Sequence, residues 1–161
     1  MRVATIAILG AALGAGTFAA TRVFADPAPA VDAAAVAAAG PMLVYKTPTC
    51  GCCSAWVDHL REAGFEVETR DLNDLSAIKA DLGVDPRLQS CHTGVIDGYV
   101  VEGHVPAADI ARMLSEKPEI AGLAVPGMPM GSPGMEGPRT DPYDVLSFEH
   151  DGTVSVFESH R

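Results

Sequence analysis

The chain has 161 residues and a formal net charge of −10 at pH 7, because 21 acidic side chains outnumber 11 basic ones. This acidity argues against nucleic acids and anionic membrane surfaces as partners, since both are polyanions. The sequence also has no Gly-rich phosphate loop and no nucleophilic serine motif, so it gives little support to hydrolase or transferase chemistry.

The N-terminus has the pattern of an export signal. A short positive start is followed by an uncharged apolar stretch over residues 3–20, and Val23 and Ala25 occupy the positions that a signal peptidase reads. We predict that residues 1–25 are a cleaved signal peptide and that the mature protein lies in the periplasm, without contact to the membrane. An uncleaved anchor is the alternative, since the apolar stretch is just long enough to span a bilayer. Cleavage removes two basic residues and no acidic one, which makes the net charge −12.

The chain after the signal divides into a linker and one domain. Residues 26–41 are rich in Ala and Pro, a composition typical of a linker. Residues 42–161 are enough for one compact domain with its own core, and they contain no internal repeat.

Hydrophobic periodicity predicts alternating strands and helices in the first half of this domain. Met42–Lys46 is an apolar and aromatic run between prolines, which indicates a buried strand. Residues 54–65 have apolar positions at helical spacing, with Gly64 as a stop. Residues 65–72 alternate apolar and charged side chains as a second strand does, and residues 75–84 have one apolar helical face.

The second half is predicted to contain two hairpins and a third helix. Residues 93–106 hold two β-rich runs around an Asp-Gly pair, and a helix follows from Pro106 to about Lys117. Residues 118–142 are rich in Pro, Gly and Met and are predicted to lack regular structure, and residues 143–159 form a final hairpin. This order predicts an α/β, thioredoxin-like fold, in which helices flank a central mixed β-sheet and the last hairpin is added to its edge.

Three of the four cysteines lie within four positions, where the first predicted strand meets the first helix. Cys50 and Cys53 have Cys-x-x-Cys spacing, and the backbone N–H groups and dipole at a helix start stabilise a thiolate. Cys52 lies between them, where a common redox pair has no thiol. Three thiols on one turn are a soft donor set of the kind that holds copper(I). A redox pair would use two of them, whereas a metal site can use all three.

The fourth cysteine is predicted to face the same site. Cys91 and His92 come immediately before the third strand, and in a thioredoxin-like topology this position lies beside the Cys-x-x-Cys turn. Met128, Met130 and Met135 lie among Gly and Pro, where no helix can turn them towards a core. Their soft thioethers persist in an oxidising compartment and suit copper(I). We therefore predict a secondary metal or partner role for these methionines.

Three motifs carry a resemblance to a known family. The stretches YKTPTCGCCSAWVDHL, SCHTGVIDGYVVEGHVPAADIARML and GLAVPGMPMGSPGME resemble the CopG-like family of periplasmic copper-resistance proteins, a thioredoxin-like domain long catalogued as of unknown function. The resemblance spans roughly residues 42–157 and implies binding and redox handling of copper ions. It also suggests other periplasmic copper-handling proteins as partners. The residues it implies as ligands are Cys50, Cys52, Cys53, Cys91, His92, His104, Met128, Met130 and Met135.

The redox hypothesis and its alternatives make different use of these residues. In the redox hypothesis, copper(II) that reaches the thiols is reduced to copper(I) while Cys50 and Cys53, or a pair that includes Cys91, form a disulfide. A thiol–disulfide oxidoreductase that acts on proteins through Cys50 and Cys53 is the main alternative, and a copper carrier without redox chemistry is another. Two structural disulfides are less favoured because bridges within one turn close almost no loop, and zinc is less favoured because structural zinc sites usually have two separated ligand pairs.

Overall fold

The computed structural model describes residues 31–161, and the predicted signal peptide lies outside the described residues. No helix within 31–161 combines the length and the apolar character that crossing a membrane requires. The regular elements of this range are α1 (Ala33–Ala39), β1 (Met42–Lys46), α2 (Gly51–Glu62), β2 (Val67–Asp71), α3 (Ser76–Asp81), a 3-10 turn (Pro86–Leu88), β3 (Thr93–Ile96), β4 (Tyr99–Gly103), α4 (Ala107–Glu116), β5 (Gly122–Val125), β6 (Tyr143–Phe148) and β7 (Val154–His160).

The strands form one seven-stranded mixed sheet in the order β2-β1-β3-β4-β5-β6-β7. The pairs β1–β2 and β4–β5 are parallel, and the other neighbours are antiparallel. The predicted mixed α/β architecture is confirmed. The C-terminal hairpin β6–β7 extends the sheet beyond β5, so that β7 forms one edge.

Apolar side chains pack on both faces of the sheet. Val101 of β4 belongs to the larger core, which α1, α2 and α4 help to form. Its neighbour Val100 points to the opposite face, because successive side chains of a strand alternate, and it joins a smaller core with Leu88 and Phe148. The helix predicted after the first strand buries Trp56 and Leu60 completely, which fixes α2 against the sheet.

The segment 118–142 is not wholly irregular as predicted, because it contains strand β5. All four residues of β5 are buried, so the strand lacks the alternation by which a half-exposed strand is recognised. Gly122 lies so close to β4 that a Cβ there would be 1.9 Å from the carbonyl oxygen of Val100. Residues 118–121 and 126–142 lack regular structure. The longer stretch, residues 126–142, connects β5 to β6, and we call it the methionine loop.

Part of the predicted linker, residues 26–41, is helical. Asp32 caps α1 by accepting hydrogen bonds from the backbone N–H groups of Ala34 and Ala35, at 3.1 and 3.2 Å. Val36 of α1 is buried in the larger core. The alanine-rich composition gave no apolar stripe from which this docking could be predicted.

Candidate metal centre

Three cysteines lie where β1 leads into α2, in a segment that we call the cysteine turn (residues 50–53). Cys50 is the residue before the helix, and its Sγ accepts a hydrogen bond from the backbone N–H of Cys53 at 3.3 Å. Cys50 and Cys53 are joined by a disulfide, whereas Cys52 is a free thiol whose Sγ lies 3.4 Å from that of Cys50. In this state the turn offers one thiol and one disulfide.

The loop that precedes β3, residues 89–92, faces the cysteine turn, and we call it the Cys91 loop. Cys91 is the second free thiol among the described residues, and the Sγ of Cys53 lies 3.8 Å from its carbonyl oxygen. The four cysteine sulfur atoms all lie within 4.8 Å of one another. A second donor group, Cys91 with His92 and His104, shares the Cys91 sulfur and meets the same distance limit.

His104 presents a ring nitrogen to Cys91 with a defined tautomer. Its Nδ1 donates to the carbonyl oxygen of Pro133 at 2.8 Å, which leaves the Nε2 lone pair directed at the Sγ of Cys91, 3.1 Å away. The ring is fully buried, and burial lowers the pKa of His104, so the imidazole is neutral near pH 7. A neutral imidazole whose other nitrogen is held by a backbone carbonyl is the usual arrangement of a metal-binding histidine.

His92 is buried between two aromatic rings and has an unpaired nitrogen. Its ring centroid lies 4.2 Å from that of Trp56 and 4.9 Å from that of His104, and its Nδ1 is 3.4 Å from the Sγ of Cys91. Burial is the main cause that lowers the pKa of His92 well below its ordinary value, and the nearness of His104 and Lys79 adds to it. Within residues 31–161 the Nε2 atom has no hydrogen-bond partner. A buried, unpaired ring nitrogen is the kind of group that an ion or an ordered water satisfies.

The Cys91 thiol is protonated in the metal-free site. Burial, with a further contribution from Cys52, raises the pKa of Cys91 to about 11. A bound cation stabilises the thiolate, so occupation of this site by a metal would release a proton from Cys91.

The methionine loop lies directly over the cysteine turn. Gly134 of the loop has a positive φ of 80°, and a Cβ there would lie 2.7 Å from the carbonyl oxygen of Cys52 and 2.8 Å from the backbone nitrogen of Trp56. Only glycine permits this approach in this conformation. Together with the hydrogen bond from His104 to Pro133, the contact fixes the loop across one side of the centre.

The three loop methionines are less closely tied to the centre than the cysteines and histidines. Met128 is 52% exposed, and Met130 and Met135 are half-buried. The Met130 methyl group packs back onto the loop, since a Cβ at Gly137 would lie 2.3 Å from it. Their role as metal donors therefore stays a prediction.

Two further residues support the centre: Trp56, which the sequence indicates as a core residue beside the cysteines that keeps water from part of the site, and Glu102, which was not predicted from the sequence. Trp56 packs against His92 with its ring tilted by 39°, and it donates its indole N–H to the carbonyl oxygen of Val105 at 2.8 Å. Glu102 is fully buried on β4, two residues before His104. A single acidic residue inside the apolar run of a central strand is the signal that could have identified Glu102.

Comparison with known proteins places these residues in a family. Residues 88–135, which include Cys91, His92, His104 and the loop methionines, match a family model described as a protein of unknown function, DUF411. No curated protein sequence gives a significant match. Two solved structures, forms 1 and 2 of a copper resistance protein copG, are each 48% identical to the chain with a TM-score of 0.72. The alignments cover 76% and 75% of this chain, respectively, and 98% of the solved chains. The chain belongs to the CopG family of copper resistance proteins.

The cysteine turn of this CopG family member lies outside the residues matched by the family model, which begins at residue 88. The fold supplies the missing half of the centre by bringing the turn to the Cys91 loop. The resulting cluster of thiol and imidazole donors is capable of binding a metal.

Proposed function

We propose that this CopG family member binds copper(I) in the periplasm through Cys50, Cys52, Cys53 and Cys91. The observation that carries the proposal is the convergence of four cysteine sulfur atoms within 4.8 Å of one another. Soft thiolates select copper(I) over the harder ions that carboxylates bind. The relatives of known structure are named copper resistance proteins, which supports copper as the metal.

The two histidines and the methionine loop complete the proposed site. His92 and His104 are buried, neutral imidazoles beside Cys91, so each can donate a lone pair without first losing a proton. The methionines Met128, Met130 and Met135 form a secondary site through which copper reaches the cysteines. The contact of Gly134 with the cysteine turn supports this role, because it brings the loop to the centre.

The proposal includes a thioredoxin-like domain over residues 42–161 and export by a cleaved signal peptide over residues 1–25. The order β1-α2-β2-α3-β3-β4-α4, with a Cys-x-x-Cys at the start of α2, supports the thioredoxin-like assignment. The acidic mature surface is compatible with handling of cations.

Copper redox change is proposed to be coupled to the Cys50–Cys53 pair. Two copper(II) ions each accept one electron, and the two thiols lose their protons as one S–S bond forms, which gives two copper(I) ions and a disulfide. The disulfide in the structure corresponds to the product of this step. Cys52 and Cys91 stay free thiols after it and can hold copper(I) with the two histidines.

An anaerobic copper(I) titration of the fully reduced mature protein tests the binding proposal. The protein competes with a chromophoric copper(I) chelator while free thiols are counted at each addition, and we expect all four thiols to be masked. Cys52→Ser and Cys91→Ser should each weaken binding by about tenfold or more, because each removes a ligand. Unchanged binding by both variants would contradict the four-cysteine site.

A parallel addition of copper(II) to the reduced protein tests the redox step. It should yield one disulfide for two copper(I) ions, whereas a carrier without redox chemistry yields none.

A thiol–disulfide oxidoreductase is the second candidate, favoured by the disulfide at the start of α2. A helix start stabilises the attacking thiolate, which suits exchange with protein disulfides. Cys52→Ser separates the two functions: it leaves disulfide exchange by Cys50 and Cys53 nearly intact but removes a copper ligand. Retained copper binding in this variant, together with rapid exchange, would favour the oxidoreductase.

A further inference from the structure

A buried ion pair lies beneath the metal centre and is not part of its donor set. Lys79 of α3 and Glu102 of β4 approach to 2.5 Å, and their side chains are only 7% and 0% exposed. Such a pair usually contributes little net stability, because the cost of removing both charges from water offsets their attraction. Its presence so close to the Cys91 loop therefore needs another explanation.

The Glu102 carboxylate is bonded on both of its oxygens. Oε1 accepts from the Nζ of Lys79 at 2.5 Å and from the backbone N–H of Ser90 at 2.6 Å. Oε2 accepts from the hydroxyl of Thr93 at 2.6 Å, and Lys79 also donates to that hydroxyl at 2.9 Å. The carboxylate thus connects α3, β3 and β4 to the residue that precedes Cys91. Hydrogen bonds to an ionised acceptor are the strong ones.

Gly103, the residue after Glu102 on β4, holds the other end of the Cys91 loop. The backbone N–H of Gly103 donates to the carbonyl oxygen of His92 at 3.1 Å. A Cβ at Gly103 would lie 2.6 Å from that of Ser90, so the strand and the loop are in direct contact. The Ser90 hydroxyl also donates to the carbonyl oxygen of Gly127 in the methionine loop. Cys91 is therefore flanked by two residues whose backbones are bonded to β4.

We propose that Glu102, held by Lys79, is the positioning residue of the metal centre. By accepting the Ser90 N–H, its carboxylate sets the Cys91 sulfur and the His92 ring opposite the cysteine turn. Lys79 balances the buried charge and keeps the carboxylate in place. This inference rests on the proposed function only in naming the centre a copper site, because the position of Cys91 can be measured without copper.

Two double variants of the mature, disulfide-containing protein separate this role from simple stabilisation. Lys79→Met with Glu102→Gln and Lys79→Met with Glu102→Leu both remove the ion pair without leaving one buried charge alone. Only the Gln variant retains an oxygen that can accept the Ser90 N–H, and its amide N–H can donate to Thr93. Comparing the two double variants therefore isolates the effect of the side-chain oxygen at position 102 that accepts the Ser90 N–H.

The first measurement is the rate at which iodoacetamide alkylates Cys91 in copper-free protein, resolved by mass spectrometry, with Cys52 as the internal reference. In the Leu variant the loop opens more often, and we expect Cys91 to react about tenfold faster relative to Cys52. The Gln variant should stay within about twofold of the wild-type rate. Equal Cys91 rates in the two double variants, whether raised or unchanged, would overturn the proposal.

A measurement on the wild-type protein covers the case in which the Leu variant does not fold. The Ser90 amide should exchange with solvent about a hundredfold more slowly than in an unstructured peptide, although it lies in a loop. Exchange at the unstructured rate means that Glu102 does not hold it, and the inference fails. In a copper(I) titration the Leu variant should behave like Cys91→Ser and the Gln variant like wild type. If the wild-type protein binds no copper(I), only the proposed function is contradicted. The alkylation of Cys91 and the hydrogen exchange of the Ser90 amide still test whether Glu102 positions the Cys91 loop.

Discussion

The cysteine turn and the Cys91 loop contribute to one centre but are held in place in different ways. The turn is organised by its own residues, as in the hydrogen bond from the Cys53 N–H to the Cys50 sulfur, and by the start of α2. The Cys91 loop is held by Glu102 and by Gly127, which lie 12 and 37 positions from Ser90. Half of the centre is thus local in sequence, and half depends on the tertiary fold. Changes far from the sulfur atoms should therefore disturb the loop more than the turn.

The largest expected effect is a loss of stability when only one partner of the Lys79–Glu102 ion pair is removed. Lys79→Met leaves the Glu102 carboxylate buried without its cation, and we expect the free energy of unfolding to fall by about 3–5 kcal/mol. Cys52→Ser in the turn is the matched comparison and should change it by less than about 1 kcal/mol. Urea denaturation of both copper-free variants measures the difference. Equal losses would mean that the turn is as dependent on the fold as the loop.

A smaller effect is expected where the methionine loop contacts the cysteine turn. Gly134→Ala places a methyl group against Cys52 and Trp56 in a backbone conformation with positive φ, and should cost about 1–3 kcal/mol. Gly127→Ala is the control, because its φ is also positive, at 69°, but a Cβ there meets no atom of the described residues within 4 Å, its chain neighbours aside.

The alkylation rate of the Cys52 thiol distinguishes displacement of the methionine loop from a general loss of stability. Gly134→Ala should speed the alkylation of Cys52, because the loop is pushed away from it, whereas Gly127→Ala should not. The contact is unimportant to the turn if Cys52 reacts equally fast in both variants.

The smallest effect should be a change in pH dependence at His59, which joins α2 to α4. Its Nε2 accepts the backbone N–H of Ala107 at 3.1 Å, and burial lowers its pKa from the ordinary value of 6.5 although Glu136 and Glu62 oppose this. The ring is neutral in the folded protein, so the unfolded chain takes up the proton first as the pH falls. The contribution of the neutral His59 ring to the stability of the folded protein is complete above pH 6.5 and is lost as the pH falls below this value.

His59→Gln keeps an acceptor at this position but cannot titrate. At pH 7.5 the variant should lose no more than about 1 kcal/mol. Between pH 6.5 and 5 its melting temperature should fall less steeply than that of the wild type, as followed by circular dichroism of copper-free protein. Parallel pH profiles would show that His59 is not the group responsible.

The locally encoded features of the molecule could be predicted from sequence. Strand β1 was predicted as Met42–Lys46 and is observed with these bounds, because prolines flank a continuous apolar run. Helix α2 and both Asp-Gly hairpins also follow from patterns within a few residues. The meeting of Cys91 with the cysteine turn was predicted only because the order of elements suggested a topology.

Other features that depend on several elements at once were missed. Strand β5 is buried on both faces, begins with a glycine and is followed by Pro126, so its four residues resemble part of a loop. Lys79 is 5% exposed, although a lysine on a short helix normally faces solvent, and only its pairing with Glu102 makes its burial possible. No pattern within α3 or β4 alone encodes that pair.

The way in which the methionine loop is anchored has a consequence for how this protein can diverge. Its ends continue directly into β5 and β6, which are adjacent and hydrogen-bonded in the sheet. Within the loop, Gly127, Pro133 and Gly134 contact the Cys91 loop, His104 and the cysteine turn. The entropy cost of closing a loop grows only slowly with its length, so residues can be inserted or deleted away from these three positions with little loss of stability. The number and spacing of thioethers can therefore vary among descendants of this chain while the sheet and the four cysteines stay unchanged. The loop thus combines a few positions fixed by contacts with the centre and exposed positions such as Met128, which can change independently of them.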